Sequence, residues 1–344
     1  MLLNRSTKTA AAIAAIAALV FTSGCSGGGG ESKKPRVAFT SEVQASYVNT
    51  RYGPLNYGKD FGLDVTEKDF QTFDSHATAT QTALSGRADI VGGSFISHVL
   101  VQQRGQDFKV FCPFVSLDDF VLVGRNGVSS VTDLFDKKTR VAVDSSGGAG
   151  AMILDAMLAE ANAPGTSTDL PNTSIVESSG LRTSSFASGK VDATVIHVQQ
   201  YNQAKTQVKD AEVIASLYDD VPIYIKEAFA APAKWLKENK ETAAGFCASV
   251  LKGNRELKKS YSTFHKAVQM YVQEPPSAAE EKELYGLIQK YEFWPEDGGL
   301  SPKAVKYMTD LGVDSGVLKK KPDNNAIVDR DVLKRAVALA NEKR

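Results

Sequence analysis

The segment Asp144-Ser145-Ser146-Gly147-Gly148-Ala149-Gly150 is where this 344-residue chain most resembles a site of chemistry. It lies between the apolar run Val141-Ala142-Val143 and a stretch in which Met152, Ile153, Ala156 and Met157 share one helical face. Glycine lets backbone N–H groups approach a ligand, and a helix start favours negative or polar acceptors. G-x-G-x-x-G is incomplete and no Gly-Lys-Ser/Thr follows, so neither a dinucleotide fingerprint nor a phosphate-cradling Walker loop is present. A serine N-cap with tightly packed glycines is the plain structural reading. The reading adopted is ligand contact through Ser145, Ser146, Gly147 and Gly148. His76, His98, His197 and His265 lack H-x-x-x-H and H-E-x-x-H spacing, so no metal site is expected. No G-x-S-x-G elbow occurs between a strand and a helix; the letters match only at Gly24–Gly28, in the glycine-rich segment around Cys25. Three cysteines are too few for a disulfide scaffold and show no C-x-x-C spacing. Cys112 and Cys247 are read as buried thiols, although an oxidising compartment would permit their pairing.

Elements must position these residues. Short apolar runs at 36–40, 65–73, 88–92, 108–115, 119–124, 139–144, 173–177, 191–196, 211–217 and 222–231 read as strands. Helical patterns at 76–85, 95–104, 149–161, 180–188 and 198–207 fall between them. The alternation predicts an α/β fold, a parallel or mixed sheet with helices on both faces. After Pro232 the chain reads as nearly all helical, with start signals at Ser277-Ala278-Ala279-Glu280 and Ser301-Pro302. Ser85-Gly86-Arg87-Ala88-Asp89 recurs as Ser188-Gly189-Lys190-Val191-Asp192. In both, a helix ends on a glycine cap and Asp opens a strand, which suggests two similarly built lobes.

Composition is ordinary, at 42% hydrophobic and 23% charged, and excludes a disordered or polytopic membrane protein. Forty basic residues balance forty acidic ones, which argues against a nucleic-acid partner. At the N-terminus, basic Arg5 and Lys8 precede the apolar run from Ala10 to Phe21. That run is short of the roughly twenty residues a spanning helix needs, and matches a signal-peptide core. Thr22-Ser23-Gly24-Cys25 resembles the bacterial lipoprotein cleavage box, with Thr22 where Leu is usual. That resemblance implies a signal peptide over 1–24 and a lipid on Cys25. Residues 25–34, with four consecutive glycines, then read as the lipidated cysteine and a flexible tether. Cleavage would discard two basic residues and leave the mature chain slightly acidic.

Ligands of open α/β sheets sit beyond the carboxyl ends of strands. The loops there supply Thr40, Ser41 and Glu42, then Asp74, then Ser94 and Phe95, then Ser145–Gly148, then His197 and Gln199. Thr40, Ser41 and Ser94 also read as helix caps, Phe95 as core and His197 as a satisfied structural histidine.

The strand-Thr40-Ser41 opening, the two Ser-Gly-basic-x-Asp joints, Ser130-Val131-Thr132-Asp133-Leu134 and Gly299-Leu300-Ser301-Pro302 occur in order, followed by Asp329-Arg330-Asp331. Together they resemble the substrate-binding proteins of ABC importers for nitrate, sulfonates, taurine and thiamine-pyrimidine precursors. The resemblance implies a two-lobed periplasmic-binding-protein-like fold of type 2, with two hinge crossings and a helical C-terminal extension. Lobe one would be 35–117 plus 219–344, and lobe two 118–218. Tyr218 and Asp219 join the ligand set beside the second crossing. The implied partners are a small-molecule solute, an ABC permease and, through Cys25, a membrane. The implied protein is a monomer with no cofactor and no catalysis, anchored outside the bacterial cytoplasm. An exported enzyme or a signalling or adhesion lipoprotein are the alternatives. Glu42, Asp74, Asp118, Asp119, Asp144, Asp219 and Asp220 fall in or beside the expected cleft, whereas Arg125 and Lys226 fall beyond the crossings. That balance favours a neutral or cationic heterocycle or amine over a sulfonate.

Overall fold

The computed structural model describes residues 33–40 and 42–342. The expected signal peptide over 1–24, Cys25 and Ser41 lie outside the described residues. No helix among the described residues is long and apolar enough to cross a membrane.

Arg36-Val37-Ala38-Phe39 and Arg140-Val141-Ala142-Val143 open the same construction twice. The first sheet begins with β1 (Val37–Phe39), β2 (Phe70–Thr72), β3 (Ile90–Ser94) and β4 (Phe108–Val115). The second comprises β5 (Phe120–Gly124), β6 (Val141–Val143), β7 (Thr173–Ile175), β8 (Ala193–His197) and β9 (Glu212–Ser216). The chain then returns to the first sheet as β10 (Glu227–Pro232). The strand orders are β2-β1-β3-β10-β4 and β7-β6-β8-β5-β9. β1 runs parallel to β2 and β3, and β6 parallel to β7 and β8. The strand delivered by a crossing, β10 or β5, is antiparallel to both its neighbours. The crossings themselves are residues 116–119 and 217–226. β4 and β5 are buried on both faces, which is why they read as near-continuous apolar runs.

Each repeated joint closes on a carboxylate. Gly86 and Gly189 end their helices at φ of +71° and +73°, where a side chain would be strained. Asp89 then accepts from Arg36 N, Nε and Nη2 at 2.8, 2.9 and 2.8 Å. Asp192 accepts from the same three atoms of Arg140 at 3.1, 2.8 and 2.7 Å. Both carboxylates thereby brace equivalent strands of the two sheets, β1 and β6.

A helix at Asn49–Tyr57, which no apolar periodicity announces, crosses the long helix Lys240–Lys259 at a glycine contact. A Cβ on Gly53 would lie 2.5 Å from the Ser249 carbonyl oxygen, and one on Gly253 2.6 Å from the Gly53 Cα. Lys240–Lys259 also covers the first sheet, where the Phe229 and Phe246 rings meet edge to face at 5.0 Å. Here the reading of two buried thiols is corrected. Cys112 on β4 and Cys247 on this helix are both fully buried, but they form a disulfide, with Cα atoms 5.5 Å apart. Their sequence separation of 135 leaves no local pattern to signal it. Beyond Pro232 the chain is helical as expected, with the Ser277–Glu280 capping box and the Ser301 cap ahead of Pro302 both formed.

Candidate functional site

A pair of charged residues stands at the end of each crossing, Asp118-Asp119 before β5 and Lys226-Glu227 where the second crossing enters β10. Asp118 has no exposed side-chain surface and Lys226 is buried, and they form an ion pair. The Lys226 ammonium also donates to the Tyr47 hydroxyl at 2.5 Å and lies over the Phe120 and Tyr47 rings, 4.7 and 4.9 Å from their centroids. Burial pushes the Asp118 carboxyl up, but Lys226 and His197 outweigh it and hold it below the usual carboxylate range. Burial and the neighbouring Asp118 carry Glu227 up to about 7, against the pull of Lys226. Lys226 therefore lies within the hinge floor rather than beyond the crossings, and it occupies Asp118.

The floor continues into the second sheet. Asp119 binds His197 Nδ1 at 2.5 Å, and the Phe120 ring packs 3.9 Å from the imidazole. Burial pulls the His197 pKa down, yet Asp119 and Asp118 together raise it above the ordinary histidine value. The His197 backbone N–H donates to Gln200 Oε1 at 3.0 Å, and Gln200 Nε2 donates to Ser179 Oγ at 2.8 Å. Asp119, His197, Gln200 and Ser179 line a cavity of about 780 Å³. Its opposite wall comes from Glu42–Ser46, after β1, and from the 272–277 turn with the helix Ala278–Lys290. Polar bonds span the two walls at Asn202–Glu283, 2.9 Å, and at Gln199–Glu280.

Of the residues expected at the site, Glu42, His197 and Gln199 line this cavity together. Thr40 sits at the end of β1 against Gly93 and His76. Ser94 is half-buried opposite Glu227 on β10, and Phe95 is fully buried in the core. Asp74, Ser145 and Ser146 are exposed outside the lining. Gly147 packs near Val317, and the start of helix Ala149–Glu160 is held by Asp144, which accepts from the N–H groups of Gly150 and Ala151 at 2.9 Å each. The Tyr218 and Tyr291 rings pack at a tilt with centroids 5.0 Å apart, and Asp219 accepts from the Tyr291 hydroxyl at 2.7 Å. Ser46, Ser179, Gln200 and Glu274 were missed as lining residues. Asp119 was seen only as a charge near the cleft, although a charged pair directly before an apolar strand was signal enough to place it.

Asp118, Asp119 and His197 also offer ligand atoms within 4.8 Å of one another, the one group with metal-holding spacing among the described residues. Asp118 is engaged by Lys226 and Asp119 by His197, so the arrangement is a paired network whose charges match internally while His197 is protonated.

Two α/β sheets of identical strand order, joined by paired crossings with a cavity between them, define the two-lobed periplasmic-binding-protein fold. Solved structures share it. The chain is similar to a putative periplasmic sulfonate-binding protein from Methylobacillus flagellatus KT, at 16% identity over 90% of this chain and 94% of that one, TM-score 0.69. It is also similar to the periplasmic nitrate-binding protein NrtA from Synechocystis PCC 6803, at 15% identity over 91% and 90%, TM-score 0.63. A third is the alkanesulfonate-binding protein SsuA from Xanthomonas axonopodis pv. citri bound to MOPS, at 17% identity over 87% and 99%, TM-score 0.61. No curated protein sequence matches the chain. Residues 54–260 match the NMT1/THI5 like family model, and the chain belongs to that family.

Proposed function

We propose that this protein is an extracytoplasmic solute-binding component of an ABC importer. It captures a small organic solute between lobe one (35–117 with 219–344) and lobe two (118–218) and passes it to a permease without altering it. Lipid on Cys25 holds it at the membrane. The cavity between the sheets carries this reading, because its walls come from both sheets and its floor from a crossing, the geometry in which closure wraps a ligand. Glu42, Asp119, Glu274, Glu280 and Glu283 line it, and His197 is its only basic lining residue among those described. The start of the Ala149–Glu160 helix already holds the carboxylate of Asp144. Both features favour a neutral or cationic solute over a sulfonate. A thermal-shift screen over amines, pyrimidines, vitamins and sulfonates tests the reading, since a ligand of the folded state raises the melting temperature. Tight, selective calorimetric binding of an alkyl sulfonate would overturn the solute class. A screen with no stabilising solute would overturn the function.

A further inference from the structure

His197 enters the cavity with one ring nitrogen engaged and one without a partner. Nδ1 is bound by Asp119 at 2.5 Å, and the Phe120 ring covers one face of the imidazole. The side chain keeps 20% of its surface exposed. The Gln200 backbone N–H approaches the same side chain at the helix start, and no hydrogen bond engages Nε2 among the described residues. A histidine held this way has its tautomer and direction set by the group on its other nitrogen. While the ring is protonated, Nε2 is an N–H donor. Once it is neutral, Asp119 retains the Nδ1 proton and Nε2 carries only a lone pair. The charged groups facing the ring are Asp119 and Asp118 from the first crossing and Lys226 from the second. Glu42, Glu280 and Glu283 line the same cavity.

We propose that His197 is the specificity-determining residue of this cleft. Its Nε2–H donates to an acceptor atom on the solute, a carbonyl or carboxylate oxygen or a ring nitrogen, and Asp119 is the positioning residue that aims it. This rests on the solute-binding reading and adds a requirement to it: a neutral or cationic solute must also carry an acceptor. Charge-assisted hydrogen bonds are roughly twice as strong as neutral ones, so the acceptor should matter most while the ring is protonated.

The test compares 4-aminobutanamide, which carries an ammonium and a carbonyl, with n-pentylamine, which carries only the ammonium. Binding of each to the full chain is measured by calorimetry from pH 6 to pH 9. The amide is expected to bind about tenfold more tightly at pH 6, with the advantage shrinking as pH rises. His197→Phe should abolish the advantage. His197→Gln, which keeps an N–H donor but cannot titrate, should retain most of it and lose the pH dependence. Asp119→Asn should lower the pH at which the advantage disappears, with circular dichroism confirming the fold. Equal binding of the two compounds, an advantage that survives His197→Phe, or no saturable binding of either overturns the proposal. If the solute screen yields binders indifferent to His197→Phe, this inference alone fails. If the screen is blank, the solute-binding reading fails with it.

Discussion

Replacing Asp118 with asparagine removes the charge that faces the buried Lys226 ammonium where the two crossings meet. Asp118 has no exposed side-chain surface and the Lys226 side chain retains 7%. Breaking such a pair from one side leaves an uncompensated buried charge, at a cost of about 3–5 kcal/mol. Lys226 would keep the Tyr47 hydroxyl and the two aromatic faces, so Asp118→Asn should fall near about 3 kcal/mol. Lys226→Met strands the carboxylate with only the Asp119 N–H at 3.0 Å, and should cost as much or more. The double substitution removes both charges and should cost about 2 kcal/mol less than the sum of the singles. Since the folded carboxyl is held below its unfolded value, its contribution is complete above about pH 4 and disappears as pH falls through the folded pKa. The double variant should therefore lose less stability than wild type on acidification. Urea unfolding followed by circular dichroism, at pH 7 and in steps to pH 3, measures each term. Single substitutions costing under about 1 kcal/mol, or additive double-variant costs, would refute the view that this pair holds the crossings together.

Three further outcomes are expected. Asp192 is held at about 2, chiefly by its hydrogen bond from Arg140, so Asp192→Asn should cost about 2 kcal/mol at pH 7. In wild type that contribution should decline as pH falls from about 4 to 2, read by unfolding across that range. Replacing both Cys112 and Cys247 with alanine should lower stability by about 2–5 kcal/mol, and a melting curve unmoved by reductant in wild type would contradict the bond. His76 Nε2 and His98 Nδ1 lie 3.1 Å apart, His98 Nε2 donates to the Ala228 carbonyl at 2.9 Å, and burial lowers the pKa of both rings, which favours their neutral forms. Burial, with a smaller push from Arg104, lowers His76 to about 4, and stability should fall as pH drops from about 6.5 toward 4. An NMR titration of His76 with a midpoint near 6.5 would exclude it.

The fold was legible because most of its buried strands are apolar runs with glycine-capped helices between them. β4 and the helix Val198–Gln207 match their expected spans to the residue, and most other elements shift by only one or two. β2 and β10 are shorter than expected for local reasons. Thr66 and Asp69 wind a capped turn before β2, and residues 221–226 are committed to the crossing. Arg36 and Arg140 completed the repeated joint, but their partners lie 53 and 52 residues away, beyond any local pattern. The site was less legible because half of its wall comes from the 272–287 region. Nothing near His197 in the chain indicates that a turn some 75 residues later faces it.

Counting acids in loops overstates the field a solute meets, because most of them are committed elsewhere. Asp118 holds Lys226, Asp119 holds His197, and Asp144 holds its own helix start. Asp219 accepts from Tyr291, and Asp220 from the backbone N–H of Ser216 at 2.6 Å. Asp74 is exposed away from the cavity. Of the seven acids read from the loops, Glu42 alone lines the cleft with no ion pair among the described residues. The C-terminal helices then add carboxylates that the loops did not announce. Glu280 caps Ser277 and meets Gln199, and Glu283 accepts from Asn202, so both work as ties between the walls. Glu274 joins Glu42 as a lining carboxylate with no ion pair among the described residues. Two such carboxylates on one wall and an aimed imidazole on the other make a cleft whose polarity runs from one lobe to the other. Under the proposed solute-binding function, a simple anion would gain at one wall and lose at the other, whereas a solute with an amine and an acceptor at opposite ends would gain at both.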